Sequence, residues 1–177
     1  MSKAVLISIR PKWCQLIALG EKTIEIRKTR PKLETPFKCY IYCTLSGSKE
    51  FFNETLKGDV VAWNKGEWAE RKGTVIGEFT CNNILEIGRR GFNNNFDYCY
   101  ESLNIFGNDD IESYITAVRK SCLSKNELNE YGKNSHFLYA WSISDLVIYE
   151  KASNKPLFRP PQSWCYAELE ENDGRQN

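Results

Sequence analysis

Eight consecutive residues, Gly20-Glu21-Lys22-Thr23-Ile24-Glu25-Ile26-Arg27, constrain the fold more tightly than any other stretch of the chain. A short apolar-faced segment ending in glycine, followed by alternating residue types, reads as a helix end, a tight turn and a strand. Successive side chains of a strand point to opposite faces. Ile24 and Ile26 therefore share one face and need a core, whereas Thr23, Glu25 and Arg27 share the other. That second face is expected to lie open, a carboxylate beside a guanidinium, with the Lys22 ammonium in or beside the turn. Mixed charges gathered at one strand start can form a polar site. The same alternation also describes an ordinary half-buried antiparallel strand.

The neighbouring segments extend the pattern. Ala4 to Ile9 is an apolar run with strand character. Pro11 can open a helix, because its missing N–H would have no partner there. Trp13, Leu16, Ile17 and Leu19 give that helix an inner face. Its first turn, with Lys12 on it, presents free N–H groups suited to an anion. Phe37 to Leu45 is expected as a strand, with Tyr40, Tyr42 and Thr44 on one face and Cys39, Ile41 and Cys43 on the other. Val60 to Trp63 is expected as a further strand. Lys65 to Lys72 reads as a polar loop carrying Trp68, which could stack on a ligand. Thr74 to Leu85 reads as one long strand with Gly77 at a bulge or close approach. Residues 88–107 are rich in asparagine and aromatics and are expected to pack over one end of the fold. A helix is expected from Asn108 or Asp109, with Ile111, Ile115, Val118 and Cys122 on one side. Ser124-Lys125-Asn126-Glu127 is a capping box that opens a second helix, stopped at Gly132. His136 to Ile148 returns to strand, and His136 is expected to be partly exposed.

Bulk properties narrow the function classes. The 177 residues suffice for a sizeable core. No stretch approaches a membrane span and no signal peptide is visible. Seven cysteines without a secreted-framework spacing fit a reduced, cytoplasmic setting. Cys39 and Cys43, four residues apart in a strand, hold their Cα atoms about 13 Å apart and do not share one ion. With a single histidine in the chain, neither a metal site nor a cofactor is expected. The formal net charge is +1, but the first 32 residues hold eight Lys/Arg against two acidic residues. A basic end on a nearly neutral protein suits an anionic ligand at one face, and also describes a solvated edge strand.

The spacing G-x-K-x-x-E-x-R from Gly20 to Arg27, behind a strand and a short helix, resembles the hallmark of the ASCH domain (activating signal cointegrator homology), a PUA-like family linked to RNA. Ile7-Ser8-Ile9-Arg10-Pro11-Lys12-Trp13 and Pro160-Pro161-Gln162-Ser163-Trp164-Cys165-Tyr166 look like segments of its bacterial and phage members. The resemblance implies an α+β fold, a PUA-like mixed β-barrel with flanking helices and a helical insertion over about 87–133. One domain would span 1–167, followed by a frayed polar tail over 168–177. It also implies a central cleft between the first helix and the barrel.

Three function classes follow. In a module binding RNA, a nucleotide or a modified base, Lys12, Lys22 and Arg27 would serve phosphate or carbonyl oxygens. Glu25 would accept from a base edge or orient Arg27, and Trp13, Tyr42 or Trp164 would stack. In a hydrolase, Lys22 and Glu25 would act as acid and base. Some small proteins resembling this chain deacetylate N4-acetylcytidine, and ribonuclease activity has been proposed within the family. The deacetylases match at Lys22 and Arg27, but their nucleophilic threonine aligns with Glu25, Thr23 lies two positions early, and their catalytic glutamate has no clear counterpart. In an interaction protein, the aromatic segment 88–122 would bind a protein partner.

Overall fold

The computed structural model describes residues 3–45, 65–91, 98–102, 109–153 and 160–168. Its elements begin with β1 (Lys3–Ile9), α1 (Pro11–Ala18), β2 (Ile24–Arg27) and β3 (Phe37–Cys43). Then come α2 (Lys65–Arg71), β4 (Val75–Cys81), β5 (Ile84–Gly91), β6 (Tyr98–Ser102) and α3 (Asp109–Ser121). The final elements are α4 (Lys125–Tyr131), β7 (Phe137–Ser142), β8 (Ser144–Ser153) and β9 (Trp164–Glu168). The fold is α+β, with strands ordered β8-β4-β3-β1-β9 in one sheet and β2-β7-β5-β6 in the other.

Alternate residues of β1 and β3 face one core, although β1 is buried on both faces from Ala4 to Ile9. These strands are parallel, with Val5 opposite Cys39 and Ile9 opposite Cys43. Val5, Ile7, Ile9, Cys39, Ile41 and Cys43 all turn into one core with Ile76 and Phe79 of β4. The second sheet covers that core with Trp141, whose ring meets Phe37 edge-on at 5.8 Å. The opposite face of the second sheet forms another core: Ile26, Ile87, Leu138 and Ala140 pack with Ala117 of α3 and Leu128 of α4. The second sheet is thus sandwiched between the first sheet and the two helices.

This sandwich inverts the expected exposure of β2. Glu25 pairs in register with Trp141 and Arg27 with Tyr139, so both charges face the space between the sheets. They are 6% and 7% exposed, and Lys22 is 2% exposed. The isoleucines do find a core, under the helices, but the polar face is buried rather than open.

The sheets do not close into the expected barrel. They are joined at two chain corners, where β4 passes into β5 through Asn82-Asn83 and β7 into β8 through Ile143. The Ser142 hydroxyl oxygen accepts hydrogen bonds from the N–H groups of Asn82 (3.0 Å) and Asn83 (2.9 Å). Asp145, with φ of 48°, completes the second bend. On the opposite side no ladder links β2 to the first sheet among the described residues. Thr74–Leu85 and His136–Ile148 are therefore not single long strands; each divides between the sheets.

Other expectations are corrected locally. Lys65 to Lys72 is a helix, not a loop. Ala69, Glu70 and Arg71 favour helix, while Glu67 in the first turn and Arg71 in the last suit its dipole. The Arg71 guanidinium also ties the helix end to the carbonyl oxygens of Tyr149 (2.8 Å) and Glu150 (2.9 Å). The inner face of α3 is set by Ala117 and Ser121, leaving Ile115 57% exposed. Glu168 belongs to β9 rather than to a tail. Val60–Trp63, the tail from 169 and much of the aromatic segment 88–107 lie outside the described residues, as does the side chain of Trp68.

Gly77 does mark a close approach. A Cβ there would overlap the carbonyl oxygen of Val147 and stand 3.1 Å from the Ile148 Cα. Both obstacles are backbone, so Gly77→Ala is expected to lower the unfolding free energy by about 1–3 kcal/mol in urea titration.

Candidate functional site

The cleft lies where the two sheets fail to meet. Gly20 ends the turn after α1 in the left-handed region, with φ of 76°. The amides of Glu21 and Lys22 both donate to the Leu16 carbonyl, fixing the start of β2. From there Lys22, Glu25 and Arg27 form one buried charge ladder. Lys22 Nζ is 3.2 Å from Glu25 Oε2, and Arg27 Nη2 is 2.9 Å from Glu25 Oε1. One carboxylate is shared by two cations, which suits burial because each charge has a direct partner.

The cations reach beyond the carboxylate to the backbone. Lys22 Nζ donates to the carbonyls of Ile24 (2.8 Å) and Ser121 (2.6 Å). These two carbonyls take two of its three N–H groups, and the Glu25 carboxylate is its ion-pair partner. The Ser121 bond, together with the Thr23 amide donating to Lys120 O at 3.0 Å, fastens the C-terminal end of α3 to the motif. Arg27 Nη2 donates to the Ser8 carbonyl at 2.7 Å, bridging β2 to β1 across the open seam. Its Nη1 has a long contact of 3.4 Å to the Ser163 hydroxyl, and its buried Nε has no hydrogen-bond partner.

Around this ladder is a cleft of about 620 Å³. Ser8 approaches it from β1, Arg10 from the cap of α1, Trp13 from α1, Thr44 from just past β3, and Gln162 and Ser163 from the segment before β9. The far wall comes from Leu123 and from Glu127, Glu130 and Tyr131 of α4. Three cations, Arg10, Lys22 and Arg27, face three carboxylates, Glu25, Glu127 and Glu130, so the lining carries no strong excess of either sign.

The expected site residues are placed unequally. Trp13, Lys22, Glu25 and Arg27 come together in the cleft. Trp13 also packs on the core. Its ring lies 4.8 Å from Lys12 Nζ and 5.1 Å from Lys22 Nζ. Lys12 is half exposed at the rim and paired with Glu127 at 3.5 Å. Tyr42 stands beside Ser8 in the ladder but is buried with Leu6 and Val75, away from the lining. Burial pushes its phenol up. Trp164 is likewise outside the lining; its ring packs on Trp141 and Tyr166, and its Nε1 donates to Thr29 Oγ1 at 3.0 Å. His136 is exposed and lines no part of the cleft.

The wall from α4 is what sequence reasoning missed. Its capping box is legible and forms as expected: the Ser124 amide donates to Glu127 Oε2 at 2.8 Å and the Glu127 amide to Ser124 Oγ at 3.2 Å. Nothing local tells that this helix returns to the Gly20–Arg27 turn. The long-range staple from Lys22 to Ser121 decides that.

No family model matches the sequence, and no curated protein matches it. Among solved structures, the ASCH protein of Zymomonas mobilis superposes with a TM-score of 0.58 at 16% identity, over 93% of this chain and 87% of that one. A serine-to-alanine variant of the same protein gives 0.57 at 16% identity, over 93% and 88%. A tyrosine-to-phenylalanine variant gives 0.56 at 15% identity, over 94% and 91%. The chain has the ASCH domain fold. Within this ASCH fold no helix among the described residues is long and apolar enough to cross a membrane. Nor do the described residues gather three His, Cys, Asp or Glu side chains in an arrangement that could hold a metal.

Lys22→Met strips one partner from a buried ladder and is expected to cost about 3–5 kcal/mol of unfolding free energy. Lys12→Met, in a half-exposed pair, should cost less than about 1 kcal/mol in the same titration. Burial alone would raise the Glu127 carboxyl, but its bonds to Ser124 and the charge of Lys12 outweigh this and hold it below its ordinary value of 4.5. Its contribution is then complete above that unfolded-state value and lost as pH falls through the lower folded one. Glu127→Gln should therefore flatten the acid limb of the stability profile measured between pH 5 and pH 3, roughly the interval over which an ordinary carboxyl titrates.

Proposed function

We propose that the cleft binds one nucleotide unit of single-stranded RNA, or a free nucleotide or modified base. The observation that carries this is Arg27: a nine-tenths-buried guanidinium in an accessible cleft, with hydrogen-bonding capacity left at Nη1 beside the Ser163 hydroxyl. A carbonyl or phosphate oxygen placed there would complete its donors. The volume lies in the ordinary range for a small-molecule site and is too small for a duplex. The balanced lining suits a base with both donors and acceptors on its edge. Arg10, Lys28, Arg30 and Lys32, all exposed, provide a basic border for phosphates. The likeness to a solved ASCH protein supports this reading through the fold alone.

Hydrolysis by Lys22 and Glu25 draws less support. The Lys22 ammonium already lies against three protein oxygens, and both Glu25 oxygens hold a cation. A protein partner on segment 88–122 would engage side chains that mostly lie outside those described.

Binding is tested by fluorescence anisotropy with labelled single-stranded RNA and DNA octamers and by competition with mononucleotides. Affinity for RNA should fall as salt rises. Arg10→Gln, on the exposed border, should lower the salt slope by about one. Arg27→Gln, checked for a retained melting transition, should weaken binding at least about tenfold, because a charge-assisted contact is lost. Absence of binding by the wild-type protein across the panel, or unchanged affinity in a folded Arg27→Gln variant, would sink the proposal. Chromatography of the same mixtures should show the ligand unconsumed.

A further inference from the structure

Tyr131 has features that packing does not explain. It is the last residue of α4 and 36% exposed, yet it lines the same cleft as Trp13. Its position is fixed from both ends. Leu128, one turn earlier, is fully buried and anchors α4 in the second core. The phenol oxygen sits against the Lys28 backbone just beyond β2, and the Lys28 ammonium lies over the ring at 5.3 Å. The residue thus spans from α4 to the exit of the motif strand. A large aromatic ring held this firmly, but left half open at the mouth of a polar cleft, presents a plane without a full complement of packing partners.

We infer that Tyr131 is a base-stacking residue, and that the cleft takes a single unpaired nucleobase between Tyr131 and Trp13 with its polar edge toward Glu25 and Arg27. This rests on the proposed nucleotide binding and deepens it by assigning the ligand class: a planar heterocycle presenting an acceptor to Arg27 and a donor to Glu25. Two aromatic side chains come from separate helices, α1 and α4, and both line the same 620 Å³. In the same lining, the buried guanidinium has unused donor capacity and the carboxylate holds one cation on each oxygen, leaving lone pairs that can accept. Lys12, over the Trp13 ring and held to Glu127 at only 3.5 Å, is the group a base would displace toward its phosphate. Stacking of unpaired bases on aromatic rings is the general means by which single-stranded RNA is held in such sites. The segment 123–131 then supplies one of the two walls rather than decorating the fold.

The test uses the full chain and a single-stranded RNA heptamer with 2-aminopurine at its centre. Anisotropy of an end label gives affinity, and quenching of the 2-aminopurine fluorescence reports stacking. Tyr131→Phe keeps the ring and should stay within about threefold of wild type with the quench preserved. Tyr131→Leu keeps the bulk without the aromatic plane and should raise Kd about tenfold with loss of quench. Both substitutions are at a part-exposed position, and matched melting temperatures confirm an intact fold. If the wild type binds with quenching and Tyr131→Leu behaves identically, the stacking role is wrong while nucleotide binding stands. If Tyr131→Phe is as impaired as Tyr131→Leu, the hydroxyl and not the ring matters, and the inference is likewise overturned. If the wild-type protein binds neither the heptamer nor mononucleotides, the nucleotide reading and this inference fail together.

Discussion

The shared carboxylate of Glu25 is the interaction on which the rest of the arrangement depends. Two cations buried side by side without it would repel one another in a medium that screens poorly. With it, Lys22 and Arg27 are held in fixed directions and their remaining N–H groups reach opposite parts of the fold. Lys22 grips the end of α3, and Arg27 grips β1. One strand of four residues, with the turn before it, therefore connects both sheets and the helical layer. Neither connection is a hydrophobic contact, and neither would hold if the carboxylate were lost.

The open seam between the sheets follows from the same group. A ladder between β2 and the first sheet would fill the space with backbone hydrogen bonds. Here a guanidinium crosses instead, and a side-chain bridge leaves a gap beside it. The gap is the cleft. Its polar floor is thus a by-product of how the fold is fastened, and this explains why the same residues serve structure and candidate binding at once. It also explains why the cleft lining is neutral although the surrounding segment is basic.

Much of this was legible in the sequence, with identifiable gaps. The alternation of Ile24, Glu25, Ile26 and Arg27 gave the correct faces, because strand geometry is local. It gave the wrong exposure, because burial of the polar face depends on a second sheet that local periodicity does not reveal. Trp13 was found through its helix position, and α4 through its capping box. Tyr131 is not legible as a cleft residue because its place there depends on a contact over about one hundred positions, between Lys22 and Ser121. Tyr42 and Trp164 show the converse error. Both aromatic residues lie near the cleft in chain and register, but satisfied packing directs their rings elsewhere. The long strands were over-extended because Asn82-Asn83 and Ile143 bend the chain between sheets without a glycine or proline to announce it.

One feature of the ladder bears on how such a chain can change over time. Lys22 contacts the carbonyls of Ile24 and Ser121, Arg27 the carbonyl of Ser8, and Thr23 the carbonyl of Lys120. All these partners are main-chain atoms, present whatever residue occupies the position. Drift at those positions leaves the acceptors in place as long as the backbone path is kept. The motif's own charged residues have no such latitude. A fold fastened in this way can lose nearly all recognisable identity outside a few positions while its central connection persists.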